Sequence, residues 1–283
     1  MIDATEIRTL AAQAKINPGI IEKDYVLSKV PMAFSQIDLF NEYLIFKGGT
    51  ALKKFYYPEW RFSEDLDFTS KEQLKPKDVK SIFQEAVDKV GKLFGLSMRV
   101  MEYSQYPRTG DDLISAQLKL GYDGPLRKSS GQKNNVRVDI AFDEVVVSKP
   151  ITKQIIKGYA DDVDAELPIY PLEEIVAEKL RSILQRGKSR DYYDVWILLK
   201  NHNGDFSVSR TVEILKAKCQ HKSIPIPKVD DYFDQSRIDE ARRYWERGLA
   251  HQLNDLPDFD AVLSELQDLI QTKIAKRTTG GGN

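Results

Sequence analysis

The chain is short of the residues that build disulfide or soft-metal sites. A single cysteine, Cys219, among 283 residues excludes an internal disulfide framework and any cysteine-based zinc cluster. The three histidines, His202, His221 and His251, are scattered and form no histidine metal motif. Both shortages suit a reducing, cytoplasmic setting. Net charge is also nearly absent, at −1, so a nucleic acid would have to be held by a local patch of basic side chains. No apolar run approaches the ~18 residues that would mark a membrane span. The amino-terminal MIDATEIRTLAAQAK lacks the basic start and apolar core of a signal peptide, and no association with a membrane is expected. No internal repeat is present. What remains is an ordinary globular composition, 41% hydrophobic and 30% charged, long enough for one large domain or two moderate ones.

Hydrophobic periodicity organises the chain. Two helices come first. The second opens near Pro18 and carries Ile20, Ile21, Val26, Leu27, Val30 and Met32 at helical spacing. YLIFK reads as a strand ending at two glycines, TALKKFYY as a helix and LDFTS as the next strand. An amphipathic helix is expected from Pro76 to Leu93, then strands in LSMRVMEY, LISAQLKLGY, NVRVDIAF and EVVVSKPITKQII. Between them, DGPLRKSSGQKNN has the turn formers and positive charge of a mobile loop. From Pro171 onward the pattern is helical. The expected fold is α+β, a mixed-sheet core followed by a helical carboxy-terminal part. The expected domains are residues 1–160, with amino-terminal helices, and residues 161–276, completing the site. The glycine-rich end, 277–283, is expected to be disordered.

The stretch FKGGTALKKFYYPEWRFSEDLDF joins a glycine pair to an Asp-x-Asp pair. Gly48 and Gly49 allow a sharp turn and a close approach of backbone N–H groups to an anion. Asp65 and Asp67, two apart on a strand, lie on one face, where a hard cation such as Mg²⁺ would relieve their repulsion. VRVDI supplies a third acid, Asp139, inside a later strand. Each feature alone has a bland reading: a plain turn, a solvated strand face, a surface acid. Their combination, in this order, resembles the arrangement of the nucleotidyltransferase superfamily related to polymerase beta.

The helix from Pro171 adds a second signal. At about 100° per residue, Lys179 falls inside the apolar arc of Leu172, Ile175, Val176, Leu180 and Ile183, whereas Glu174, Arg181 and Gln185 lie opposite. A lysine there needs an anionic partner or a route to solvent, and a triphosphate is one such partner. Arg186, seven residues on, flanks the same arc. In the next helix Asp191 and Asp194 interrupt an apolar surface. Asp191 suits an N-terminal cap. Asp194 lies deeper and could pair with Lys179 or Arg190.

These residues resemble the AbiEii/AbiGii toxin family, bacterial nucleotidyltransferase-like toxins of type IV toxin–antitoxin and phage-defence systems. The resemblance rests on IEKDYVL, FKGGTALKKFY…RFSEDLDF, VRVDI and PLEEIVAEKLRSILQRGKSRDYYDVW, in the family's order, from about residue 20 to residue 199. It implies Gly48, Gly49 and Thr50 for the phosphates and Ser63, Asp65 and Asp67 at the metal end. Asp139 would be a metal ligand or the acceptor's base. Lys179 would face the triphosphate with Asp194, and Arg186 and Arg190 would bind nucleotide beside them. Asp65, Asp67, Asp139, Lys179 and Asp194 are thus the expected catalytic set, with Mg²⁺ as cofactor and an NTP as donor. The implied acceptor is the 3′ end of tRNA, and the outcome is blocked bacterial growth or phage propagation. With a net charge of −1, the basic residues that could hold such an acceptor are Arg127, Lys128, Lys133 and Arg137 in and beside the basic loop, and Arg186, Lys188 and Arg190 after the helix of Lys179. An antitoxin is implied as a partner acting on expression rather than by direct complex. Other readings are nucleotidylation of a protein or small molecule, and an NTP-binding module without turnover that binds an antitoxin. Compared with the wider superfamily, Gly-Gly-Thr replaces Gly-Ser and the spacing to the acids is longer, which leaves one or two metals open. Residues 200–276 carry no motif that the resemblance places.

Overall fold

The computed structural model describes residues 1–107, 113–127 and 134–278. Lys128, Lys133 and the last five residues therefore lie outside the described residues. The chain divides into two compact units, Met1–Asp143 with Pro150–Ile169, and Glu144–Lys149 with Tyr170–Asn283.

The first unit begins with helices α1 (Ala4–Ala14), α2 (Pro18–Phe34) and α3 (Asp38–Tyr43). Asp3 caps α1 by accepting from the N–H groups of Thr5 and Glu6, and Asn17 caps α2 with Pro18 at its first turn. Helix α2 is buried on nearly all sides. Nearly every side chain from Ile21 to Phe34 is buried, Glu22, Asp24 and Lys29 among them. Each charge has a partner: Glu22 accepts from the Leu126 N–H at 2.7 Å, Asp24 pairs with Lys54 at 2.6 Å, and Lys29 pairs with Asp161 and Asp162.

Strand β1 (Leu44–Lys47) runs into the short helix α4 (Gly48–Ala51) and a π-helical turn, Leu52–Tyr56. Lys53 of that turn donates to the carbonyls of Pro58 and Trp60, fixing the segment that leads into β2 (Asp65–Ser70). Helix α5 (Pro76–Phe94) follows, its buried Val79, Phe83, Ala86, Val87 and Val90 on one face, and Gly95 ends it at φ +65°. Strands β3 (Ser97–Pro107), β4 (Leu113–Asp123), β5 (Asn135–Ala141), β6 (Ile151–Gln154) and β7 (Glu166–Ile169) complete one seven-stranded sheet in the order β3-β4-β5-β2-β1-β7-β6. The sheet is mixed, with β2–β5 and β1–β7 parallel and the other pairs antiparallel. Phe34, Phe40, Phe46, Phe68 and Phe83 form an aromatic core, Phe34 lying 5.6 Å from Phe68 and 5.1 Å from Phe83.

The second unit is helical: α6 (Leu172–Gln185), α7 (Ser189–Asn201), α8 (Val208–His221), α9 (Gln235–Arg243), α10 (Trp245–Leu249) and α11 (Phe259–Leu269). The α+β expectation of a mixed sheet followed by helices is met. Two local expectations are not. EVVVSKP forms no strand, because the Val147 and Ser148 N–H groups donate to the Glu174 carboxylate instead of to a ladder. The face of α6 opposite Lys179 is not a solvent face: Glu174 and Arg181 are buried and ion-paired, Arg181 with Glu144 at 2.7 Å and Glu174 with Lys218 at 2.9 Å.

Candidate functional site

Strand alternation sets up the first cluster. On β2 and β5, Leu66, Phe68, Val136, Val138 and Ile140 are buried in the core. The residues between them, Asp65, Asp67, Arg137 and Asp139, therefore project from the other face. The parallel register pairs Asp65 with Arg137 and Asp67 with Asp139, so three acids and one arginine share a small area. Arg137 Nη2 donates to Asp65 Oδ2 at 2.6 Å and its Nε to Asp139 Oδ2 at 3.0 Å. Burial works against the guanidinium, but the charges of Asp65 and Asp139 outweigh it and raise its pKa above the ordinary arginine value. Gln117, the register partner of Asp139 on β4, donates to Asp139 Oδ1 at 2.7 Å.

The glycine turn meets this cluster. Gly48 has φ +81°, a left-handed conformation that side chains disfavour, and a Cβ built on it would lie 2.3 Å from Asp67 Oδ2. Gly49 faces the side chains of Arg61 and Ser63; its Cβ would lie 3.3 Å from Arg61 Nη2 and 3.4 Å from Ser63 Oγ. Thr50 is fully buried and its hydroxyl donates to the Asp65 carbonyl at 2.5 Å, which pins the turn to the start of β2. The two ends of the glycine–aspartate stretch are thus in contact.

The second unit holds the other polar set. Lys179 of α6 pairs with Asp194 of α7 at 2.7 Å, the lysine side chain 12% exposed and the aspartate 0%. Arg186 binds Asp191 through both Nε and Nη2, at 2.9 and 3.0 Å, and Asp191 also accepts from the Lys188 N–H at the start of α7. Arg190 is half-buried at the start of α7.

The model of the nucleotidyl transferase AbiEii toxin family, from type IV toxin–antitoxin systems, matches residues 34–265. The chain belongs to the AbiEii toxin family. Among solved structures it is similar to MenT4, a nucleotidyltransferase toxin from Mycobacterium tuberculosis H37Rv, with a TM-score of 0.61 and 18% identity over 98% of this chain and 92% of that one. At that identity the likeness speaks for the fold. None of the curated proteins matches the chain. Among the described residues, no helix is long and apolar enough to cross a membrane.

In this AbiEii chain the expected residues of the first unit come together: Gly48, Gly49, Thr50, Ser63, Asp65, Asp67 and Asp139 form one neighbourhood. In the second unit, Lys179 meets Asp194 and Arg186 meets Asp191. Of the acceptor candidates, Arg127 is described, in a left-handed conformation at φ 44°. Sequence reasoning placed Arg137 among the basic residues that would hold RNA, not against the acids, and gave Gln117 no role. Arg137 lies two residues before Asp139 on the same strand face, and that spacing was the signal for its place; Gln117 needed the β4–β5 register. Three carboxylates on one face offer the oxygen donors a hard cation prefers. In this arrangement Arg137 is the cation that joins two of them. Among the described residues, no group of three or more His, Cys, Asp or Glu side chains is set to hold a metal ion. The donor chemistry fits Mg²⁺; the side-chain positions are those of carboxylates bound to arginine.

Proposed function

We propose that this AbiEii chain transfers a nucleotide from an NTP to the 3′ acceptor end of tRNA in the bacterial cytoplasm and thereby halts growth or phage propagation. The observation that carries the reading is the in-register placement of Asp65, Asp67 and Asp139 beside the Gly48–Gly49 turn. In the reaction the acceptor hydroxyl oxygen bonds to the α-phosphorus, the bond from that phosphorus to the bridging oxygen breaks, and pyrophosphate leaves. Gly48 and Gly49 present backbone N–H groups to the phosphates. Asp139 takes the proton of the acceptor hydroxyl, and Gln117 holds its carboxylate in place. Lys179, held in place by its ion pair with Asp194, neutralises the triphosphate, with Arg186 and Arg190 beside it. Mg²⁺ bound by Asp65, Asp67 and Asp139 would supply charge stabilisation at the phosphoryl group. Arg127, Lys128 and Lys133 supply the local positive charge for RNA that a net charge of −1 does not. The antitoxin acts on expression rather than through a stable complex.

The test is incubation of the purified chain with Mg²⁺, tRNA and each labelled NTP in turn. Label entering tRNA at its 3′ end is the expected result. Label entering a protein or small molecule from lysate, but not tRNA, would replace the acceptor. No transfer from any NTP would remove the catalytic reading.

A further inference from the structure

Three carboxylates drawn to one patch of a sheet repel one another, and a folded chain needs a positive charge there even before substrate arrives. This chain carries that charge itself. Arg137 stands on the same face as Asp65, Asp67 and Asp139, opposite Asp65 in the register. Its planar guanidinium spans two strands, with one nitrogen on Asp65 at 2.6 Å and another on Asp139 at 3.0 Å. The charge of Asp67 acts on it as well. The exposures are unequal in a telling way: the Arg137 side chain is 44% exposed, Asp65 only 13%. The arginine can swing into water with little loss of packing, whereas Asp65 stays where the strand holds it.

We propose that Arg137 and a divalent cation compete for Asp65 and Asp139, so that the metal binds by exchange with the guanidinium. This rests on the reading that Asp65, Asp67 and Asp139 are the metal's ligands. The exchange has a consequence for order of binding. A bare metal ion binds weakly, because it has to displace Arg137 from Asp65 and Asp139. Affinity rises when an incoming polyphosphate offers the guanidinium another anion. Arg137 is a positioning residue here: it sets where the carboxylates point and what metal binding costs.

The test uses the full chain without nucleotide, titrated with Mn²⁺ in a calorimeter and checked by the loss of the free Mn²⁺ resonance signal. Arg137→Gln should bind Mn²⁺ about tenfold more tightly than the parent, or more, because the competing charge is gone while a shorter neutral amide, unable to reach Asp65 as Nη2 does, remains. Arg137→Lys should fall between, since a point charge cannot span both carboxylates; it also serves as the test if the glutamine variant does not fold. In thermal unfolding, Arg137→Gln should melt below the parent without metal and gain more from added Mn²⁺. Equal or weaker Mn²⁺ binding by both variants, or no Mn²⁺ binding by any form, overturns the exchange. Tighter binding in Arg137→Gln together with no nucleotide transfer by the parent would leave the exchange standing and remove the transferase reading.

Discussion

Replacing Lys179 is the most informative stability experiment. Its ammonium lies 2.7 Å from an Asp194 carboxylate that is 0% exposed. Without the lysine, a buried carboxylate loses its cation, and breaking a buried pair by removing one partner costs about 3–5 kcal/mol. For a chain of this size a kcal/mol corresponds to roughly 2–4 °C in Tm, so Lys179→Met should lower Tm by roughly 6–20 °C. Asp194 makes further interactions, which favours the lower part of that range. Removing both charges together, in Lys179→Met/Asp194→Leu, should recover most of the loss, because an apolar replacement of a buried pair is near neutral. The assay is thermal and urea unfolding at pH 7 without nucleotide, with NTP binding measured in parallel. A loss below about 1 kcal/mol in the single variant would refute the pairing as a feature of the free protein. The lysine would then be one that waits for phosphate, the alternative that its place on an apolar arc first raised.

Two further outcomes follow from the first unit. Gly48→Ala forces a Cβ into the space of the Asp67 carboxylate at a positive φ, so it should cost more than about 1 kcal/mol of stability and abolish transfer; a fully active variant would show that the turn is not set by this contact. Burial pushes the Lys53 ammonium down to about 8 from the ordinary 10.5. Between those values the unfolded chain binds more protons at this residue than the folded one, so its contribution to stability improves as pH rises from about 8 to about 10.5. The stability of the parent relative to Lys53→Met should therefore rise across that window, and a flat difference would refute the burial.

Much of the architecture could be read locally, and what could not was nonlocal. LDFTS and NVRVDIAF showed their strands through alternation, and α6 showed its buried face through the spacing of Leu172, Val176, Leu180 and Ile183. Asp65, Asp67 and Asp139 could be named as acids on strand faces. That Asp67 stands opposite Asp139, with Arg137 opposite Asp65, depends on the β2–β5 register, which links positions about 70 residues apart. Glu174 and Arg181 looked like solvent residues because their partners, Lys218 and Glu144, lie far along the chain. The burial of Asp24 and Lys29 on helix α2 had no local signal for the same reason: the lysine that pairs with Asp24 and the aspartates that pair with Lys29 belong to other segments. Local periodicity detects apolar faces and is blind to a charge compensated from a distance.

The hexapeptide Glu144–Lys149 makes the two units inseparable as gene fragments. It is encoded within the sheet unit's stretch of sequence, yet it belongs to the helical one. Glu144 is the shared anion of Arg181 and Lys218, and the Val147 and Ser148 N–H groups occupy Glu174. A clone that starts at Tyr170 would leave two buried cations short of an anion and a buried carboxylate short of two donors. A clone that stops at Asp143 would lose β6 and β7 from the sheet. A cut at the apparent junction before Tyr170 therefore separates this loop from the helical residues that it pairs with.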